Sequence, residues 1–234
     1  MARARFDACP ANRCGLIPQR FLFMGHITAI EPQAKHANRF NLYVDDHFAL
    51  GLSEIVAAKL RVGQTLSDAD LAALAREEAF EAAREKALRF LEPRPRSAAE
   101  MKQHLHKKKI AADVVNQVIA RLTDAGLLDD AAFAKYWVEN REEFKPRAGR
   151  ALRFELKRKG LADAAIAEAI GDLDESESAY RAGAARAARW RTLERRAFMD
   201  RLCAFLVRRG FSYAVAKDAA TRLWNASRAE DFES

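Results

Sequence analysis

The chain has 234 residues, half of them apolar, which supplies core material for folded domains and excludes disorder throughout. Glycine and proline together number 16 against 48 alanines, so the composition favours helices over a turn-rich β-sandwich and excludes a collagen-like repeat. The 40 basic and 33 acidic side chains leave a net charge of +7, a surplus that suits an anionic partner without identifying it.

That surplus is uneven. Residues 1–66 carry 8 basic against 5 acidic side chains and residues 175–234 carry 12 against 8, whereas the middle of the chain is nearly balanced. The 3 cysteines, Cys9, Cys14 and Cys203, are too few and too scattered for a disulfide framework, so a reducing cytoplasm is expected. Cys9 and Cys14 stand near a metal-ligand spacing, but no matching Cys or His pair follows, and neither a metal nor another cofactor is expected. The N-terminus lacks the apolar stretch of a signal peptide, and no run approaches the roughly 18 apolar residues of a membrane span. Residues 1–24 read as a flexible tail.

Residues 25–66 have a short-period pattern. In RFNLYV, Phe40, Leu42 and Val44 alternate with Asn41 and Tyr43, Asp45 and Asp46 form a turn, and Phe48, Leu50 and Leu52 continue on the other side. This predicts a small β-hairpin or three-stranded unit, followed by a short helix from Ser53 that stops near Gly63. Ser67 with Asp70 opens a long helix that ends at Pro93 and Pro95, and Ser97 with Glu100 reads as a capping box for the next.

From there the chain repeats itself. Aligning Leu105, Leu156 and Leu206, which are 51 and 50 residues apart, brings Met101, Leu152 and Leu202 into one column and Val115, Ile166 and Ala216 into another. Lys107 with Lys108, Arg158 with Lys159, and Arg208 with Arg209 fall at the same two offsets. Gly160 and Gly210 stand where a left-handed residue closes a helix, and Lys109 departs from that pattern. With an upstream helix before each copy, the chain predicts a mostly α fold: three tandem three-helix modules in an elongated array at residues 67–130, 131–174 and 175–234, behind the β unit.

LRFLEPRPRSAAEMKQHL at 88–105, VIARLTDAGLLDDAAFAKYWVENR at 118–141, FELKRKGL at 154–161 and RRGFSY at 208–213 together resemble the bacterial RecX family of regulatory proteins. The resemblance spans roughly residues 27–224 and leaves the N-terminal extension without a counterpart. It implies three tandem three-helix modules and a protein that binds in the groove of the RecA filament on DNA. There it would restrain the ATPase, strand exchange and the filament's part in SOS repressor cleavage.

The candidate contact residues for such a partner, or for DNA phosphates, are basic. They are Arg94 and Arg96 on the proline-stiffened connector, the pairs Lys107/Lys108, Arg158/Lys159 and Arg208/Arg209, and Lys145, Arg147, Arg150, Arg153 and Lys157 in the dense stretch 145–159. A structural role competes with a functional one, because basic residues in the last turn of a helix complement its dipole. Arg186, Arg189, Arg191, Arg195, Arg196 and Arg201 form a second dense region. Tyr136, Trp137, Trp190 and Trp224 have the spacing of packing residues more than of a base-stacking set, and His104 and His106 are not placed to chelate. With no glycine-rich phosphate loop and no nucleophile with a base, an enzyme is not expected. A monomer that binds the RecA filament, with at most weak contact to single- or double-stranded DNA, is the expectation. The alternative is a nonspecific or helix-turn-helix-like DNA-binding protein acting without RecA, although IAADVVNQVIARL and LADAAIAEAIGDL are poor in the polar side chains that base readout needs.

Overall fold

Alternating apolar residues build the first element group, as their spacing predicts. β1 (Met24–Gln33), β2 (His36–Val44) and β3 (His47–Ser53) run antiparallel, and a two-residue turn with positive φ at Asp45 and Asp46 joins the last two. Such a turn matches the natural twist of a hairpin, and short polar side chains tolerate it. The computed structural model describes residues 24–34 and 36–230. Met24, grouped with the tail on sequence, opens β1, while the rest of that tail, including Cys9 and Cys14, lies outside the described residues.

The sheet has a fourth strand beyond the expected hairpin or three-stranded unit. β4 (Thr65–Ser67) pairs with the free edge of β1 and gives the order β3, β2, β1, β4. Three residues are too short to show a period, but Leu66 is buried and Ile27 donates to the Gln64 carbonyl, so the edge is held by backbone and core together. The helix expected after Ser53 is one turn, α1 (Glu54–Ala57). α2 (Asp68–Leu91) starts where Ser67 and Asp70 exchange hydrogen bonds, and Asp70's carboxyl is lowered by the Ser67 hydroxyl and amide that donate to it. Glu78 on α2 takes Arg39 at 2.8 Å and the Ser53 amide at 2.6 Å, fastening the helix to the sheet.

The chain divides into two compact units, one up to Glu81 and one from Ala82 onward. The second is helical: α3 (Ala98–Lys107), α4 (Ala112–Asp124), α5 (Asp130–Phe144), α6 (Gly149–Arg158), α7 (Asp163–Ile170), α8 (Glu175–Trp190), α9 (Arg195–Arg208) and α10 (Tyr213–Glu230). The aligned columns of the repeat form its core. Met101 and Leu105, Leu152 and Leu156, Leu202 and Leu206 are all buried, as are Val115, Ile166 and Ala216 on the helices that follow. Trp137 packs on the core of the second module, and Trp190 and Trp224 on that of the third, in keeping with the packing role expected for them.

The repeat extends to the hydrogen bonds of the turns. Each second helix ends on a cation, Lys108, Lys159 or Arg209, and then on a residue with φ of +60° (Lys109), +82° (Gly160) or +100° (Gly210). Ile110, Leu161 and Phe211 then donate back to Leu105, Leu156 and Leu206, the bond that closes a Schellman turn. Lys109 therefore adopts the left-handed conformation without being glycine, which normally costs an L residue about 1–2 kcal/mol.

Candidate interaction surface

The basic residues singled out from sequence divide into two groups by what they touch. The first group holds the helical repeats to one another. At the junction of the first and second modules, the Ser97 hydroxyl, the N-cap of α3, donates to the Lys159 carbonyl at 2.7 Å. The Lys159 ammonium reaches back to Glu100, which Arg94 also grips through both guanidinium nitrogens at 3.1 and 3.2 Å. Glu100 thus turns to these cations, so the expected capping box is present through the Ser97 acceptor, 3.1 Å from the Glu100 amide, while the carboxylate serves the junction.

The second junction repeats this plan with different atoms. Ala148, the N-cap of α6, donates its backbone N–H to the Arg209 carbonyl at 3.4 Å, Arg209 donates to the Pro146 carbonyl at 3.1 Å, and Arg150 donates to the Gly210 carbonyl. In both cases a turn of one module seats on the start of the second helix of the module before it. Space there is short. A Cβ built on Gly160 would lie 2.4 Å from that of Ala99, and one on Gly210 would lie 2.8 Å from that of Ala151. The glycines are needed for two reasons at once, the positive φ and the contact.

Other members are also tied down. Arg96 lies over the Phe90 ring at 4.0 Å and donates to the Phe90 carbonyl, and His104 stacks on that ring at 3.9 Å. Burial, with the charges of Lys108, Arg96 and Lys107, lowers the pKa of His104, which keeps it neutral in the stack near pH 7. Arg147 pairs with Glu155 at 2.8 Å and Lys157 with Asp163 at 3.0 Å. Burial raises the Glu155 carboxyl, but hydrogen bonds from Arg141 and Trp137 and the charges of Arg141 and Arg147 outweigh it, and the carboxyl settles below the usual range.

The second group faces solvent. Lys107, Lys108, Lys145, Arg153, Arg158 and Arg208 are exposed, and none of them makes an ion pair among the described residues. Lys107, Arg158 and Arg208 are the first members of the three repeated pairs, one per module at the same offset, whereas the second members, Lys159 and Arg209, are half-buried in the clasps. All three pairs sit at helix C-termini, so dipole complementarity also holds for them.

Sequence reasoning missed three members of the exposed group. Lys102 occupies the same repeat position as Arg153 and is exposed on α3, and Lys109 extends the free basic turn of the first module. Phe154, 64% exposed on α6, stands between Arg153 and Arg158, with Arg158 5.9 Å from its ring. An aromatic at a polar-face position of an otherwise regular helical pattern was the signal available for it.

No described helix is long and apolar enough to cross a membrane. Residues 25–67 match the family model described as the regulatory protein RecX N-terminal domain, residues 83–122 that of the RecX first three-helix domain, and residues 129–170 that of the second. The chain is 30% identical over 205 residues to the regulatory protein RecX of Bacillus subtilis (strain 168), covering 86% of this chain and 78% of that protein. It is 36% identical over 139 residues to that of Streptomyces coelicolor, covering 58% and 74%. A crystal structure of regulatory protein RecX superposes with a TM-score of 0.64 at 24% identity, over 82% of this chain and 96% of that one. RecX from Lactobacillus salivarius superposes with a TM-score of 0.55 at 20% identity, over 63% and 97%. Sheet, tandem three-helix modules and aligned relatives agree, and the chain belongs to the RecX family of regulatory proteins.

Proposed function

We propose that this chain binds the RecA filament on DNA and slows its ATPase cycle, and through it strand exchange and SOS repressor cleavage. The observation that carries the reading is the unpaired cation that recurs once per module at Lys107, Arg158 and Arg208. A partner that itself repeats, with acidic or phosphate groups at regular intervals, is met by several weak contacts at once, and their combined avidity exceeds any single one. The clasps support this reading, because they fix the spacing between modules and remove their own cations from the contact.

The test is the DNA-stimulated ATPase of RecA filaments titrated with purified, folded protein. Sub-stoichiometric amounts are expected to lower the rate, and an unchanged rate sinks the proposal. Reversing Lys107, Arg158 and Arg208 to Glu together is expected to weaken inhibition by at least about tenfold, with a stability loss of up to about 1 kcal/mol per reversed charge at the helix C-termini, and thermal melts check that the variant stays folded. Binding to RecA-coated against bare DNA over a salt series separates filament binding from DNA binding, which would show the same steep salt slope on both.

A further inference from the structure

The outward face of α6 carries an aromatic side chain at a position where those of α3 and α9 carry none. Where α6 carries Phe154, the aligned residues are Gln103 on α3 and Ala204 on α9. A lone exposed apolar residue is ordinary on a protein surface. Phe154, however, stands among cations: Arg150 and Arg158 lie one turn before and after it on the same face, Lys157 is three residues on, and Arg153 precedes it in sequence. Arg150 and Lys157 are held by the Gly210 carbonyl and Asp163, while Arg153 and Arg158 make no ion pair among the described residues. The result is a 64% exposed ring with the Arg158 guanidinium 5.9 Å from it and the exposed Arg153 next to it in sequence, on a helix whose other face is fixed in the core by Leu152 and Leu156.

An aromatic ring beside arginines has the composition of an interface anchor, in which the ring supplies buried apolar area and the cations supply orientation. A single strand of nucleic acid would ask for something else. Sequence-tolerant binding of bases uses successive aromatic side chains along a groove, and here the two aligned positions are Gln and Ala. One ring on a convex helix fits one recess.

We propose that Phe154 is the apolar anchor of the second module: it inserts into a recess on an acidic protein surface, and Arg153 and Arg158 pair with carboxylates at the rim. This rests on the filament reading above and names the part of the chain that makes its strongest single contact. The partner surface has a depression that accepts a phenyl ring, with acidic side chains spaced to meet guanidinium groups one helical turn and one residue away from it.

The experiment measures binding of the full chain, Phe154→Ala, Phe154→Leu and Arg153→Glu/Arg158→Glu to RecA filaments on single-stranded DNA, and to the same DNA bare. Phe154→Ala is expected to weaken filament binding by about tenfold or more, while Phe154→Leu, which keeps apolar volume, stays within about threefold. Affinity for bare DNA is expected to stay within about twofold for both, since neither changes a charge. Because Phe154 is exposed, both variants keep the melting temperature of the parent, and circular dichroism checks this. Filament binding by Phe154→Ala within twofold of the parent overturns the anchor, and if Arg153→Glu/Arg158→Glu is weakened at the same time, the filament reading stands without it. Equal loss on filament and bare DNA overturns it in favour of base stacking. Absence of filament binding by the parent chain overturns the filament reading and the anchor together.

Discussion

The turn at Lys107–Lys109 and those ending at Gly160 and Gly210 have the same backbone and different employment. All three close their helix with a left-handed residue and the same pattern of back-donated hydrogen bonds. Gly160 and Gly210 are pressed against Ala99 and Ala151 of the preceding module, so neither has room for a Cβ. Lys109 is exposed, and its side chain has only the backbone cost to bear. A glycine in a repeat is thus read two ways: the conformation alone tolerates a lysine, and the conformation plus a neighbour does not.

The comparison breaks most sharply at Gly160. Gly160→Ala combines left-handed strain with a 2.4 Å approach to the Ala99 Cβ, and is expected to destabilise the helical unit by about 3 kcal/mol, measured by urea denaturation. Ala99→Gly in the same chain removes the opposing methyl and is expected to recover part of the loss, leaving the backbone term of about 1–2 kcal/mol. If the double variant is no more stable than the single one, contact between modules is not what holds glycine there.

Glu100 is the next place to press. Burial raises its carboxyl, but hydrogen bonds from Arg94 and Lys159 and their charges together outweigh this, so the folded protein holds it below the usual carboxylate range. A carboxyl depressed by folding stabilises above its unfolded value of about 4.3, and that contribution is lost as the pH falls through the lower folded value. Stability is therefore expected to decline from about pH 4 downward. Glu100→Gln is expected to cost about 2 kcal/mol at pH 7 and to flatten that decline, as followed by thermal melts across pH. An unaltered acid limb would mean that the clasp is not charge-linked.

The smallest effect expected is at the free turn. Lys109→Gly relieves left-handed strain and adds unfolded-state entropy, and the balance is a gain of at most about 1 kcal/mol. The same exchange in reverse, Gly160→Lys, is expected to be at least as damaging as Gly160→Ala. Opposite signs at aligned positions would sharpen the distinction; equal small effects would erase it.

Much of the helical part was legible because its signals are periodic. The apolar columns, the caps at Ser67 and Ser97 and the left-handed positions at Gly160 and Gly210 each follow from local chemistry that a sequence displays. β4 was not legible, because three residues carry no period and Leu66 is defined by the strand it meets. The candidate surface was only half legible. Lys159 and Arg158 are adjacent and alike in sequence, yet one reaches Glu100 across a junction and the other faces water, a difference set by contacts between residues about 60 positions apart. Phe154 was hidden because one apolar side chain out of phase with Leu152 and Leu156 has no period of its own to mark it.

The surroundings of Trp137 have a spectroscopic consequence. Its indole N–H donates to Glu155 at 2.9 Å, Arg141 lies 4.5 Å from its ring, and the ammonium of Lys159, which also reaches Glu100, lies 4.7 Å from it. Trp224 meets Phe198 edge-on at 5.1 Å and has the Arg228 guanidinium 4.4 Å from its ring, with no carboxylate bonded to its indole N–H among the described residues. Indole emission responds to the local electric field, so the chain carries its own optical probes: one fluorophore wired through Lys159 to the seam between the first two helical repeats, and a second, in contact with Phe198 and Arg228, that reports on the last.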